Sequence, residues 1–228
     1  MQSHSLPWNF RDVFENRTQA GELLAQKIQR EVRFDDCLVL GITRGGVVVA
    51  AKVAERLRVP LDIIVVKKIG APENPELAIG AVGPASDAAG AEPTVVWDKR
   101  FIGELGIDEH YKTMSVKAKM DELTAQESKF RSGRLPLSLR GKDVCLVDDG
   151  VATGATVLCA RDYLVVKKAR RIILAVPVIA EDTLKLLTKQ FDTIVTLRVE
   201  KDFRAVGQFY RDFPQVSDEE VIKIINSK

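Results

Sequence analysis

The sequence of 228 residues contains no long apolar run, only three cysteines and only two histidines. Its longest uncharged apolar stretch, Ile172 to Ala180, includes Pro177 and is far shorter than the ~20 residues of a membrane-spanning helix. The first ten residues show no apolar signal core. We therefore expect a cytoplasmic protein that does not associate with membranes.

The few cysteines and histidines exclude two further classes of protein. Cys37, Cys145 and Cys159 are odd in number and have no C-x-x-C spacing, which argues against a disulfide framework and against a zinc site. We predict that their thiols are buried and inert. His110 has no carboxylate or second histidine at ligand spacing, and we predict a surface position for it.

The charge balance is close to neutral, at +2. This value gives no support to nucleic-acid binding through bulk charge. With 46% hydrophobic residues, the chain can build a substantial core. Its length suits one α/β domain spanning residues 1–228.

A predicted strand that ends in two adjacent acids is the most informative segment. From Val144 to Leu164 the chain reads VCLVDDGVATGATVLCARDYL. Its apolar start predicts a buried strand that ends at Asp148 and Asp149. Small ligands bind α/β sheets in the crevice outside the carboxyl ends of the strands. Ionised carboxylates only accept hydrogen bonds, so this pair suits a ribose diol or a hard cation.

The loop behind the acids has the composition of an anion site. Gly150 and Gly154 let the backbone approach a ligand closely, and Thr153 and Thr156 offer hydroxyl groups. The helix that begins near Ala155 adds unpaired backbone N–H groups, which attract a phosphate. Acids and loop together predict a site for a ribose 5-phosphate.

Other interpretations of this segment fit less well. A nucleotide-triphosphate loop needs a lysine where Ala155 stands, and the dinucleotide fingerprint G-x-G-x-x-G is absent. A purely structural strand and turn is disfavoured because two acids followed by a Gly/Thr loop are poor core material.

A second strand and turn carries cations in place of acids. The apolar run from Cys37 to Ile42 predicts a strand. We expect a turn after it, at Thr43-Arg44-Gly45-Gly46, and then a helix that runs to about Arg58. Arg44 and the N–H groups of the turn can hold a polyphosphate. Lys67 and Lys68 follow the next strand, either as solvated charges or facing the same ligand. Because strand side chains alternate, we expect only one, Lys67, to face the site.

The segments CLVDDGVATGAT and LVLGITRGG resemble the phosphoribosyl pyrophosphate signature and the pyrophosphate loop of type I phosphoribosyltransferases. The resemblance implies that Asp148 and Asp149 bind the ribose hydroxyls and, directly or through water, Mg²⁺. It implies that the 152–156 loop cradles the 5-phosphate. Thr43-Arg44 is the candidate for a cis peptide bond that relatives can carry. The residues that the resemblance and the chemistry assign to catalysis are Arg44, Lys67, Asp148 and Asp149. Those assigned to substrate binding are Thr43, Gly45, Gly46, Lys68, Gly150, Ala152, Thr153, Gly154, Ala155, Thr156, Phe203 and Val206.

The acceptor is less defined than the donor. Ala152 stands where 6-oxopurine enzymes of the family carry an aspartate, whereas adenine-type enzymes have alanine there. DFRAVG weakly resembles the hood of purine enzymes, which would place Phe203 and Val206 over a purine-like base. The resemblance further implies Mg²⁺ as cofactor, a homodimer and a role in purine salvage. A regulator that senses phosphoribosyl pyrophosphate or nucleotides on the same fold is the alternative.

Alternating strands and helices predict an α/β fold with a mainly parallel, Rossmann-like sheet and helices on both faces. We expect a core at about residues 35–198. A small hood is expected from the N-terminal arm and residues 199–228. The Pro- and Gly-rich segment after Lys68 predicts a long loop with a strand pair at Ala78 to Val82 and Thr94 to Trp97, which in the family closes over the donor.

Overall fold

The computed structural model describes residues 13–85 and 92–227. The α-helices are α1 (Arg17–Glu31), α2 (Gly45–Leu57), α3 (Lys99–Glu104), α4 (Glu109–Arg131), α5 (Ala155–Val166), α6 (Glu181–Leu187) and α7 (Asp218–Asn226). The strands are β1 (Cys37–Ile42), β2 (Leu61–Ile64), β3 (Lys67–Gly70), β4 (Ala78–Ala85), β5 (Pro93–Trp97), β6 (Asp143–Val147), β7 (Arg171–Ala180) and β8 (Thr193–Glu200). A short 3₁₀ turn covers Val206–Phe209.

Five strands form a parallel sheet in the order β2-β1-β6-β7-β8. The side chains of these strands alternate between two apolar layers. Val39 and Cys145 pack with α1 and α2 on one face. Leu40 and Leu146 pack with α5 and α6 on the other. The predicted mainly parallel sheet with helices on both faces is confirmed, and it brings the ends of β1 and β6 side by side.

The N-terminal cap of α1 was predictable from the sequence. Asn16 accepts a hydrogen bond from the backbone N–H of Gln19 at 3.0 Å, and the Gln19 side chain accepts one from the N–H of Glu15 at 2.7 Å. The first bond satisfies an N–H group that a helix start leaves unpaired, and the second ties the residue before the cap to the first turn. Together they fix where the first turn of α1 begins.

The segment predicted as a long loop is folded into a second sheet. β3, β4 and β5 pair antiparallel, so the expected strand pair is present and a third strand, β3, joins it. One face, with Ile69 and Ile79, packs against α3 and α4. On the other face, the Cys159 thiol of α5 contacts the Thr94 carbonyl oxygen at 3.3 Å. The described part of this segment is therefore packed on two sides.

The predicted hood lies only partly within the described residues, because residues 1–12 of the arm fall outside them. Phe14 is buried and its ring lies 5.3 Å from that of Tyr210. α7 packs beside α2 and α4, with Val221 and Ile225 buried against β2. The division into core and hood stays a prediction.

No helix in the described parts of the chain combines the length and the apolar character that a bilayer crossing demands.

The three cysteine thiols are predicted to be unreactive in the folded protein. Cys145 and Cys159 are fully buried and Cys37 is 8% exposed. Burial raises the pKa of Cys37 and of Cys159 to about 12, so the reactive thiolate is scarce at neutral pH. A colorimetric thiol reagent at pH 8 should report almost no reaction in the native protein and three thiols after denaturation. Rapid labelling of the native protein would contradict this assignment.

Candidate functional site

A cavity of about 420 Å³ opens at the carboxyl ends of β1 and β6. This is the edge of the sheet where α/β proteins bind small ligands. The residues that line it are Ile42, Thr43, Arg44, Val66, Lys67, Lys68, Asp148, Asp149, Gly150, Val151, Ala152, Thr153, Gly154, Thr156, Val157 and Val206. A larger groove of about 700 Å³ lies between α1 and α2. In that groove Lys52 pairs with Glu22 and Glu55, so these charges satisfy one another.

The two acids at the end of β6 have different surroundings. Asp148 accepts a hydrogen bond from the N–H of Asp149 at 2.9 Å, and burial together with the neighbouring Asp149 charge raises its pKa well above the usual range. Lys68 opposes that rise. The Asp149 carboxylate is only 14% exposed and accepts a hydrogen bond from Arg17 at 2.7 Å. One acid therefore has a direct cation partner while the other has a perturbed pKa.

Two groups that the sequence analysis missed hold Asp149. Arg17 reaches it from the first turn of α1, and the Tyr210 hydroxyl donates to the Asp149 carbonyl oxygen at 2.6 Å. A weak signal for Arg17 was present in the sequence. A cation in the first turn opposes the helix dipole, so an arginine directly after the Asn16 cap needs another reason to be there.

The loop after the acids forms the start of α5, as predicted. Gly154 adopts a φ of 85°, which favours glycine, and no side chain caps this helix. The Thr183 hydroxyl donates a hydrogen bond to the Ala152 carbonyl oxygen and ties the loop to α6. Thr153 and Thr156 line the cavity beside the uncapped helix start. The arrangement can bind a phosphate group.

Three cationic side chains, those of Arg44, Lys67 and Lys68, line the same cavity. The Thr43-Arg44 peptide bond is cis, as expected from the resemblance. Arg44 lies 3.5 Å from Asp218 at the start of α7, and its side chain is 34% exposed. Lys67 and Lys68 both line the cavity, whereas only one was expected to face it. They lie at the start of β3, where the chain passes from one sheet to the other.

Two glycines allow the start of α2 to lie against the acids. A Cβ atom on Gly45 would stand 1.9 Å from an Asp149 carboxylate oxygen. One on Gly46 would stand 2.8 Å from the Asp148 Cα atom. Real Cβ atoms do not approach other atoms so closely, so these positions need glycine for space. Neither glycine is among the residues that line the cavity. Their contribution to the site is that they let the start of α2 lie close to the two acids.

The cavity contains most of the predicted site residues, although not all of them. Those that line it are Thr43, Arg44, Lys67, Lys68, Asp148, Asp149, Gly150, Ala152, Thr153, Gly154, Thr156 and Val206. Gly45, Gly46 and Ala155 lie directly behind this lining. Phe203 does not line the cavity, contrary to the expectation that its ring lies over a base. Its ring packs 4.9 Å from that of Phe209 because both join the apolar layer on the α1 face.

Three of the lining residues, Val151, Ala152 and Val206, have apolar side chains. Val206 lies so close to Gly150 that a Cβ atom there would be 2.6 Å from the valine Cγ1. The Val151 N–H donates to the Val178 carbonyl oxygen at 2.9 Å. These three residues offer a flat ligand an apolar surface without a charged side chain.

The residues suit a Mg²⁺ ion only if a ligand supplies some of its oxygens. Within residues 13–85 and 92–227, no group of three or more His, Cys, Asp or Glu side chains could hold a metal ion. Arg17 occupies one oxygen of Asp149. Mg²⁺ is commonly bound by one or two carboxylates, waters and substrate phosphates. Asp148, with Asp149 beside it, fits that mode.

Comparison with known proteins agrees with this geometry. The profile of the phosphoribosyl transferase domain family matches residues 13–214. A Mycobacterium tuberculosis protein whose name describes it provisionally as a phosphoribosyl transferase is 36% identical over 214 residues, which are 94% of this chain and 46% of the relative. The chain thus spans about half the length of the curated relatives it matches.

A solved structure shares the fold over nearly its whole length. The crystal structure of the Thermus thermophilus protein TT1426 is 38% identical, with a TM-score of 0.76 and coverage of 94% of this chain and 98% of that one. The family profile covers the strand with the acids, the arginine turn and the phosphate loop in one match. The chain therefore belongs to the phosphoribosyl transferase domain family.

Proposed function

We propose that the protein transfers the 5-phosphoribosyl group of phosphoribosyl pyrophosphate to a nitrogen atom of a base and releases pyrophosphate. One observation carries the proposal: the acid pair, residues at an uncapped helix start and a group of cations line the same cavity. The acids suit the ribose diol, the start of α5 suits the 5-phosphate, and Arg44, Lys67 and Lys68 suit the diphosphate.

The chemistry follows from this arrangement of charges. The bond between ribose C1 and the pyrophosphate oxygen breaks, and its electron pair leaves with pyrophosphate. The acceptor nitrogen forms the new bond to C1 and loses its proton to solvent. Arg44 and the two lysines balance the charge on the leaving group, and the acids stabilise the developing positive charge on the ribose. Such electrostatic groups are typically worth about 3–4 kcal/mol each.

Mg²⁺ is the proposed cofactor. Asp148, with Asp149 beside it, would hold the ion together with oxygens of the donor. When bound, the ion neutralises negative charge on the diphosphate.

The proposed acceptor is a purine-like base beside Val206. Ala152 and Val151 supply an apolar surface there, and Phe203 is not part of it. We further propose a cytoplasmic homodimer in purine salvage, in keeping with the resemblance. A sensor of phosphoribosyl pyrophosphate is the second candidate, because Val151, Ala152 and Val206 include no group that could take a proton from an acceptor.

Calorimetric titration with phosphoribosyl pyrophosphate and Mg²⁺, followed by a panel of bases assayed for pyrophosphate release, tests the proposal. We expect saturable binding and release with one base. Binding without release by any base would favour the sensor. Absence of binding would refute both candidates.

A further inference from the structure

We infer that Arg17 is a positioning residue for the acid pair: it holds Asp149 in place so that Asp148 faces the ribose. The inference rests on the proposed function, because it concerns how the donor is received. Arg17 belongs to α1, outside the motifs that carry the family resemblance.

The contact between Arg17 and Asp149 is short and buried. The Arg17 Nε atom lies 2.7 Å from the Asp149 Oδ2 atom, and the two side chains are 9% and 14% exposed. A charge-assisted hydrogen bond in such surroundings is among the stronger ones in proteins. The pair also lies against the start of α2, since a Cβ atom on Gly45 would be 2.9 Å from the Arg17 Nε.

Further contacts prevent the guanidinium of Arg17 from turning away. Its Nη1 atom donates to the Pro214 carbonyl oxygen at 2.7 Å, and its central carbon lies 3.7 Å from the centroid of the Phe213 ring. Phe213 packs 4.9 Å from the Tyr210 ring, whose hydroxyl donates to the Asp149 backbone. Arginine is suited to this site because one planar group can donate two hydrogen bonds and stack on a ring.

A contribution to the stability of α1 does not explain why an arginine stands at position 17. It is the first residue of the helix, where a positive charge is unfavourable, and the first turn contains no acidic residue to offset it. The Asp149 carboxylate provides that compensation. The arginine therefore serves the contact with Asp149 at a cost to its own helix.

Neutralising one acid has a consequence for ligand binding. Phosphoribosyl pyrophosphate is strongly anionic, and two uncompensated carboxylates at the same mouth would repel it. With Asp149 paired, the other charged side chains that line the cavity, among the residues the structure describes, are Asp148 and the three cations Arg44, Lys67 and Lys68. Arg17 thus lets two adjacent acids stand in a site built for anions.

Substitution of Arg17 by methionine tests the inference. We expect R17M to weaken binding of phosphoribosyl pyrophosphate with Mg²⁺ by about 10- to 100-fold, as loss of a hydrogen bond to a charged group predicts. KM for the donor should rise, while KM for the acceptor should change little. R17K keeps the charge but cannot make both hydrogen bonds and stack, so it should lie between wild type and R17M.

The difference between the two KM values is a readout that a merely structural role would not move. General loosening of the fold would raise KM for the donor and for the acceptor alike. Loss of a contact that positions the acid pair raises KM for the donor alone.

Arg131 offers a matched control. It pairs with Asp62 at 3.0 Å, the two side chains are 12% and 5% exposed, and neither lines the cavity. R131M should lower the melting temperature but leave donor affinity and KM for the donor as in wild type. If R17M behaves like R131M in both respects, the inference is overturned while the proposed function stands. If R17M does not fold, wild-type affinity for the donor in R17K overturns it. If wild type binds no donor, the proposed function and the inference fail together.

Discussion

Replacement of Asp148 by asparagine is expected to lower kcat/KM for phosphoribosyl pyrophosphate by about 100- to 1000-fold, the range typical for loss of one preorganised electrostatic group. Asparagine has nearly the same shape but no charge to stabilise the ribose or to hold Mg²⁺. Steady-state kinetics of pyrophosphate release at pH 8 would measure the effect.

The same substitution should make the protein more stable. Burial and the Asp149 charge raise the pKa of Asp148, so the folded chain binds this proton more tightly than the unfolded chain does. Above that raised pKa, ionised Asp148 therefore costs stability, and asparagine removes the cost. The melting temperature of D148N should exceed that of wild type at neutral pH, and the difference should shrink as the pH falls through the pKa of Asp148.

Asp121→Asn is a suitable control, because Asp121 is exposed in the middle of α4. It should change neither kcat/KM nor the melting temperature appreciably. A D148N protein with wild-type kinetics would remove Asp148 from the proposed mechanism. One that is strongly destabilised would show that the carboxylate has a structural function instead.

Substitution of Gly45 by alanine is expected to reduce donor affinity by about 100-fold, the effect of misplacing a site group by ~1 Å. The added Cβ atom would stand 1.9 Å from the Asp149 carboxylate, and the Arg17 Nε lies 2.9 Å from the same point. The ion pair must therefore shift. Overpacking of this kind also destabilises, typically by about 1–3 kcal/mol. Calorimetric titration and chemical denaturation would measure the two effects.

Gly103 provides the matched glycine. It lies in α3, and a Cβ atom there would meet nothing within 4 Å. Gly103→Ala should leave affinity unchanged and stabilise the protein by up to about 1 kcal/mol, because alanine is the better helix former. If Gly45→Ala binds the donor as tightly as wild type, the close approach of α2 to the acids does not matter for binding.

The features that could be predicted from the sequence are those that a few neighbouring residues determine. The strand ending at Asp148, the uncapped helix start at Ala155 and the arginine turn at Arg44 each occupy a few consecutive positions. Their side-chain types alone indicate an anion-binding site at the edge of a sheet. The family resemblance then specifies which anion.

The features that escaped prediction depend on contacts between distant residues. Arg17 and Asp149 are 132 positions apart in the sequence, so no local sequence pattern indicates that they pair. β3 has a single fully buried apolar side chain, Ile69, and becomes a strand only because β4 pairs with it. The ring of Phe203, predicted to lie over a base, packs on that of Phe209 in the structure. An aromatic ring can stack on a base or on another ring, and the sequence does not distinguish these.

The passage of the chain from the parallel sheet to the antiparallel one takes only Val65 and Val66, both buried. Lys67 and Lys68 are consequently anchored from both sides, by β2 before them and by β4 alongside them. Their backbone is therefore part of the antiparallel sheet at the edge of the cavity. An anion that docks there has the two lysine side chains to order, but not the backbone that carries them.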